Sequence, residues 1–413
     1  MYEEVWTLED LPLTGIRVAD FTRVHAGPSA TQWLGVLGAE VLRLESRMRP
    51  DMLRPDRGRG RVEVNPDLDS SNSFLSLNCS KLSCTLNLTN PKAVELAKRI
   101  IAVCDGVFEN YSPGVMARFG LDYPSVKRLK PDIIMLSCSG PGQTGPNRHE
   151  VAFAHTVQAF SGLCSITGYP GGAPTQIGPM WADVMAGQAA VFAFLTALYH
   201  RDETGEGQYI DLSMNETILS TMPEAILEFT LNGRNLAPMG NRDWSMAPHG
   251  CYRCQGEDCW VAIAVGTDEE WQALCRVMGN PAWCAEERFA DQVSRWYHQD
   301  ELDHHLEAWT QSYTREAAAR LLQEAGVPAA ISAGPADVFH DPHLRERQFF
   351  TPLEHPRVGK SEVGRVPYRP DGHFVSQYKP APLIGQHNQY VFAELLGMPE
   401  GEIEALVDER VIY

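Results

Sequence analysis

Between Gly15 and Gly140 the chain alternates short apolar runs with helical patterns, and that alternation limits the fold more than any other feature. "GIRVADFT" reads as a buried strand, "SATQWLGVLG" as a helix and "AEVLRLES" as a second strand. Strand, helix and strand joined by short links form the crossover unit of a parallel sheet. "SCTLNLT" continues as a strand, and Asn90–Pro91 then open the helix "KAVELAKRIIAVC" with a cap residue followed by proline. "GVFENY" and "DIIMLSCSG" read as further strands around the short helix "SVKRLKPD". The expected class is therefore a doubly wound, Rossmann-like α/β domain. Its first turn, "RVHAGPSATQWLG", lacks GxGxxG, and GxxxxGK[ST] is absent throughout, so a nicotinamide or ATP reading has no support.

Beyond the first domain, "GEGQYIDLS" reads as a strand and "NETILSTMPEAILEFTLNG" as one helix. From about residue 235 the texture turns to Pro, Gly, Asn and Trp, then to a hairpin and helices such as "DEEWQALCRVMG" and "TREAAARLLQEAG". This predicts a smaller α+β domain over 226–330, after a large domain over 1–225. A return segment, 331–413, finishes with a helix at "QYVFAELLG".

With 35 Lys+Arg against 53 Asp+Glu the formal net charge is -18, which disfavours nucleic acid and anionic membranes as partners. The acidic opening "MYEEVWTLEDLPLTG" does not resemble a secretory leader. The apolar run Val184–Tyr199 is short of a membrane span and reads as a buried helix. Ten scattered cysteines suggest reduced thiols in a cytoplasm. His249, Cys251, Cys254 and Cys259 sit close together in "HGCYRCQGEDCW", but no second pair stands at zinc spacing. That stretch is expected to be a hairpin turning at "QGED", with no metal.

Two loops follow strand ends, where open α/β sheets bind ligands: "ENYSPGVMARFG" and "SCSGPGQTGP". Gly140, Gly142 and Gly145 allow close backbone approach there. Asp183 is the only Asp, Glu, Lys or Arg between Glu150 and Arg201. Its pattern fits an N-cap of the apolar helix that follows. The same position also keeps a carboxylate ionised, ready to act as a nucleophile on an activated carbonyl.

Five stretches in order carry a family likeness: "GIRVADFTRVHAGPSATQWLGVLGAEVLRLE", "LNCSKLSCTLNL", "FENYSPGVMARFGLDY", "WADVMAGQAAVFAFLTALYHRDETGEGQYIDLSM" and "APLIGQHNQYVFAELLG". Together they resemble the family III CoA-transferases, a group that includes formyl-CoA and carnitine CoA-transferases and the related α-methylacyl-CoA racemases. The resemblance implies Asp183 as covalent nucleophile, forming an acyl anhydride and then an aspartyl-CoA thioester. It implies CoA, as substrate and with no prosthetic group, against His25, Ala26, Asn78, Lys81, Asn110, Tyr111, Arg118, Ser139 and Gly140. Lys81 and Arg118 would meet its phosphates, and Gly142, Gly240, Asn241 and Trp244 would border the acceptor and oxyanion.

The likeness further implies an interlinked dimer, either of one chain or with a paralogous subunit, whose large domain uses both chain ends. Acyl-CoA and a small organic acid are the expected partners. Departures occur at Pro141, where an aromatic residue is usual, and at Phe153–Ala154, where the racemases carry a His-Asp pair. "GNRDWSM" is bulkier than the glycine cluster of oxalate-specific members. That favours an acceptor larger or more apolar than oxalate or formate, such as a bulky or aromatic-substituted dicarboxylate. The alternatives are an acyl-CoA racemase or isomerase, and a CoA-binding subunit of a heteromeric transferase.

Overall fold

A computed structural model describes residues 11–55 and 67–413; the opening "MYEEVWTLED", read above for a leader, lies outside them. Strand Arg17–Asp20 (β1) leads into helix Ala26–Val36 (α1), then strands Glu40–Glu45 (β2) and Lys81–Thr85 (β3). Helix Pro91–Ala102 (α2) follows, capped by the Asn90 side chain accepting from Lys92 N–H with proline at its start, as the sequence predicts. Strands Gly106–Glu109 (β4) and Ile134–Ser139 (β5), helix Trp181–Thr204 (α3) and strand Tyr209–Ser213 (β6) complete the layer. All six strands pair in parallel in the order β3-β2-β1-β4-β5-β6. That order reverses between β1 and β4, and the crevice at such a reversal is where doubly wound sheets hold ligands.

The helix α3 is 24 residues long and, by length and composition alone, apolar enough to cross a membrane. One face, including Ala182, Asp183, Ala186, Gly187, Ala190 and Phe194, is buried. A Cβ on Gly187 would lie 2.2 Å from Ser29 Oγ of α1, so glycine lets the two helices touch. Asp183 is not the cap the pattern suggested. The helix starts two residues earlier, after Met180, and Asp183 sits in its first turn.

Two further expectations fail locally. The single helix over 215–233 is two, Met214–Leu219 and Pro223–Asn232, because proline starts a helix but disfavours helical geometry in the residue before it. The chain does not finish at "QYVFAELLG"; another helix, Glu400–Asp408, follows Pro399.

The chain divides into two units, described separately. One takes residues up to Cys164, then Gln176–Arg234 and Arg347–Tyr413; the other takes Ser165–Thr175 and Asn235–Glu346. The middle unit thus starts later than 226, ends later than 330 and gains an eleven-residue strap from upstream. Gly240 N–H donates to Gly168 O at 2.8 Å, and Asn241 Nδ2 to the Tyr169 hydroxyl at 3.3 Å, which fixes that strap. The expected hairpin forms from His249–Arg253 and Trp260–Ala264, joined by Ala329–Ile331 in an antiparallel sheet. Among the described residues no three His, Cys, Asp or Glu gather to hold a metal, and all ten cysteines are unpaired.

In the first unit the chain's end closes the sheet. Val391, Phe392, Met398, Ile403, Leu406, Val411 and Ile412 pack in one core with Ala19, Leu42, Leu96 and Val107. Edge strand β3 gives two of its outward N–H groups to side chains of this segment: Ser83 N–H to His387 Nδ1 at 3.1 Å and Thr85 N–H to Asn388 Oδ1 at 2.8 Å. An edge that would otherwise offer free donors is thereby sealed.

Candidate active site

Asp183 opens into a cavity of about 350 Å³ at the carboxyl ends of β1, β4 and β5. Its walls include Val24, Ala26, Asn110, Tyr111, Ser139, Gly140, Arg148, Phe153, His155 and Met180. The carboxylate is 8% exposed, and burial pushes its pKa up to about 6. Hydrogen bonds from the backbone at Ala26 and from its own N–H oppose that rise. Ala26 is the first residue of α1, so the carboxylate meets the N-terminal ends of two helices, which favour the anion. The result is a desolvated carboxylate, ionised at neutral pH yet more basic than an ordinary aspartate, which makes it the better nucleophile.

Around it the loops after the strands are pinned. Asn110 accepts from Arg23 N–H at 2.8 Å and donates to Arg23 O at 2.7 Å, tying the turn after β4 to the one after β1. Ser139 Oγ is buried without a hydrogen-bond partner, a donor available to developing negative charge. Gly140 is required by close approach, since a Cβ there would meet Ala152 Cβ at 2.3 Å. Gly142 adopts φ 99° and turns the loop so that Gln143 N–H donates to Asp211 at 2.8 Å; it is not itself a wall residue.

A larger cavity of about 520 Å³ lies over the ends of β1 to β4 and shares Tyr111 with the first. Arg23, Arg43, Arg49 and Arg118 line it beside Leu44, Met48, Leu86, Leu88 and Phe119. Arg43 is spent on buried carboxylates, which leaves Arg23, Arg49 and Arg118 on an apolar floor that suits a ligand with phosphates at one end and an aromatic or apolar portion at the other.

Lys81 does not reach either cavity, which corrects its assignment to a phosphate. Its ammonium is fully buried, 3.2 Å from Asp20 Oδ2, 2.9 Å from Pro28 O and 3.0 Å from Asn78 Oδ1. Asn78 is likewise spent inside, donating to Phe74 O at 2.9 Å. His25 precedes α1 with a buried, unpartnered Nδ1, and its neighbours Val24 and Ala26, not its ring, form the cavity wall. Gly240, Asn241 and Trp244 belong to the other unit and are absent from this wall. There Trp244 stacks on Trp296 at 6.4 Å, and Gly240 and Asn241 line a separate cavity with His249.

Some site features escaped the sequence. Val24 sits at φ 65°, a left-handed backbone that a β-branched residue adopts only under constraint. Asp51 supplies it by accepting Val24 N–H at 3.0 Å. No local signal announces this, since valine argues against such a turn. Glu109, at the end of β4, is buried and lifted to about 7 while accepting Tyr111 N–H at 2.7 Å. Arg148 carried a signal that was overlooked: it is the only Lys or Arg between Lys130 and Arg201.

Residues 13–388 match the model of CoA-transferase family III. The succinyl-CoA--D-citramalate CoA-transferase of Chloroflexus aurantiacus is 33% identical over 97% of this chain and 98% of its own. The succinyl-CoA:glutarate CoA-transferase of Mus musculus is 31% identical over 97% of this chain and 90% of its own. A crystal structure of a CAIB/BAIF family protein from Brucella suis superposes with a TM-score of 0.84 at 29% identity, covering 93% of this chain and 99% of that one. Sequence and fold agree along nearly the whole length, and the chain belongs to CoA-transferase family III.

Proposed function

We propose that the protein moves CoA from succinyl-CoA to a second dicarboxylic acid, with Asp183 as the covalent nucleophile. The observation that carries this reading is the buried Asp183 carboxylate, raised to about 6, in a cavity whose lining it shares with Ser139, a residue with a buried, unpartnered hydroxyl. The named relatives act with succinyl-CoA on citramalate and on glutarate, both dicarboxylates, which supports the donor and the acceptor class. The Asp183 oxygen attacks the thioester carbonyl, the C–S bond breaks, and CoA thiolate leaves a succinyl-aspartyl anhydride. Thiolate then attacks the aspartyl carbonyl, succinate departs, and an aspartyl-CoA thioester remains. The acceptor carboxylate displaces thiolate to give a second anhydride. Thiolate attacks its acceptor carbonyl, releasing the new acyl-CoA and the Asp183 carboxylate. No net water or proton is consumed, so one carboxylate suffices. Ser139 Oγ and the backbone near Gly140 are suited to the oxyanion of each step.

CoA fits with its nucleotide end in the arginine-lined cavity and its thioester past Tyr111 at Asp183. Arg118→Ala is expected to raise KM for succinyl-CoA about tenfold with kcat within about twofold, the effect of losing one charge-assisted hydrogen bond. Steady-state rates at varied donor check it, and an unchanged KM would move the phosphates elsewhere. The direct test of the mechanism is intact-mass measurement after mixing with succinyl-CoA. An adduct on Asp183 is expected, and an adduct that persists in Asp183→Ala would sink the assignment.

The assembly is read as a dimer, interlinked as the resemblance implies, in a reducing cytoplasm that suits ten unpaired cysteines. Its support is helix Pro223–Asn232, which buries no residue and exposes Ile226, Leu227, Phe229 and Leu231. Surface of that kind marks an interface. Sedimentation is expected to give twice 45.9 kDa; a species at 45.9 kDa would reject the dimer, and a stoichiometric second chain would favour the heteromer. His155, on the same wall as Asp183, favours α-proton exchange as the second reading. Deuterium entering the α-carbon of an acyl-CoA without CoA exchange would select it.

A further inference from the structure

The cavity around Asp183 has an uneven charge pattern. Its acids are Asp183 and Glu150, its only Lys or Arg is Arg148, and His155 is the one other basic side chain. Most of the remaining wall is apolar or backbone, from Pro113, Pro141, Ala152, Phe153, Met180 and Met214. Arg148 lies on the loop after β5, exposed at the cavity, and its Nε donates to the neighbouring His149 Nε2 at 3.0 Å. Among the described residues no carboxylate lies within ion-pair distance of its guanidinium, although Glu150 shares the wall. Other arginines of this unit, such as Arg43, Arg54 and Arg201, are held in ion pairs. An arginine left without a carboxylate, facing the pocket of a reactive carboxylate, presents two parallel donors of the geometry that a carboxylate accepts.

A dicarboxylic acid in this cavity has one carboxylate that reacts at Asp183 and one that does not. The second cannot be left unpaired on an apolar wall without a desolvation cost. We propose that Arg148 binds this non-reacting carboxylate and so is the residue that selects dicarboxylates over monocarboxylates. The inference rests on the transferase reading above. Arg148 fixes which end of the acid faces the nucleophile, and a monocarboxylate lacks the group that would be held. Because the succinyl donor also carries a free carboxylate, the same contact serves both half-reactions.

The test compares glutarate with pentanoate, acids of equal chain length, as acceptors from succinyl-CoA, with products read by mass spectrometry. The wild-type protein is expected to favour glutarate in kcat/KM by at least about 100-fold, as expected when a built polar partner is left empty. In Arg148→Gln the glutarate KM is expected to rise at least about tenfold and the ratio to collapse toward unity. Arg148→Lys, keeping charge but losing the fork, should recover part of the ratio. Because this is a ratio within one variant, a general loss of folded protein leaves it unmoved. A preference retained in Arg148→Gln, or equal use of both acids by the wild type, overturns the assignment and leaves the transferase intact. No CoA transfer to any acid and no Asp183 adduct in the wild type would instead bring down the transferase reading and this proposal with it.

Discussion

Asp183→Asn should lower CoA transfer at least about 10³-fold and at the same time make the protein more stable at neutral pH. The first effect follows from removing a nucleophile whose covalent intermediates carry every step, since loss of such a group leaves only the contribution of binding and oxyanion donors. The second follows from burial. An unfolded aspartate titrates near 4, whereas in the folded protein burial raises Asp183 to about 6. The folded state therefore binds this proton more tightly, and its stability falls as pH rises from about 4 through 6. Above that window the buried charge costs about 3 kcal/mol, which asparagine does not incur. Denaturant unfolding at pH 7.5 should favour the variant by that amount, with the gap closing below pH 4. In the wild type, transfer should rise through pH 6 as the carboxylate ionises. Variant turnover within tenfold of wild type would place the nucleophile elsewhere. Identical stabilities at every pH would mean that the carboxylate is not desolvated.

The largest stability loss is expected at Arg43. Its guanidinium is 1% exposed and faces three carboxylates, Asp51 at 2.6 Å, Glu45 at 3.5 Å and Asp20 at 3.6 Å. Lys81 supports Asp20 and Arg54 supports Glu45, so each partner is shared. Arg43→Leu leaves these acids short of positive charge in the interior and should cost about 3–5 kcal/mol. The same Asp51 oxygen that takes Arg43 also holds Val24 N–H, so the substitution loosens the wall beside Asp183. Lys81→Met should likewise act on stability and leave the KM for succinyl-CoA within about threefold, unlike a phosphate ligand. Urea unfolding alongside kinetics checks both. A change below about 1 kcal/mol in Arg43→Leu would mean that the network is not paired as described, and Arg43→Lys keeps the question answerable if leucine prevents folding.

Lys81 also shows where sequence reading stops. A lysine in a polar turn looks solvated, and only folding brings Asp20 to its ammonium from sixty-one positions away. The alternation that specifies the sheet is local, with each strand and helix written in its own residues, and so it could be read directly. The cap at Asn90–Pro91 is local in the same sense. Asp183 stood out because its surroundings lack charge, but its position within the helix did not, because the helix start at Trp181 has no cap signal. The break at Pro223 was legible and missed. The left-handed Val24 was not legible at all, since its constraint comes from Asp51 across the fold. Local chemistry declares elements and lone charges; the pairings that decide what those charges do are made by the sheet.

The sealing of β3 by His387 and Asn388 has a consequence for synthesis. These partners are separated by about three hundred residues, and the core they complete includes Val411 and Ile412. At about 5–20 residues added per second, the edge of β3 waits tens of seconds on the ribosome before its partners exist. The first unit therefore cannot complete its fold until these late partners have been made, and through that interval its open edge is a surface for a chaperone to guard.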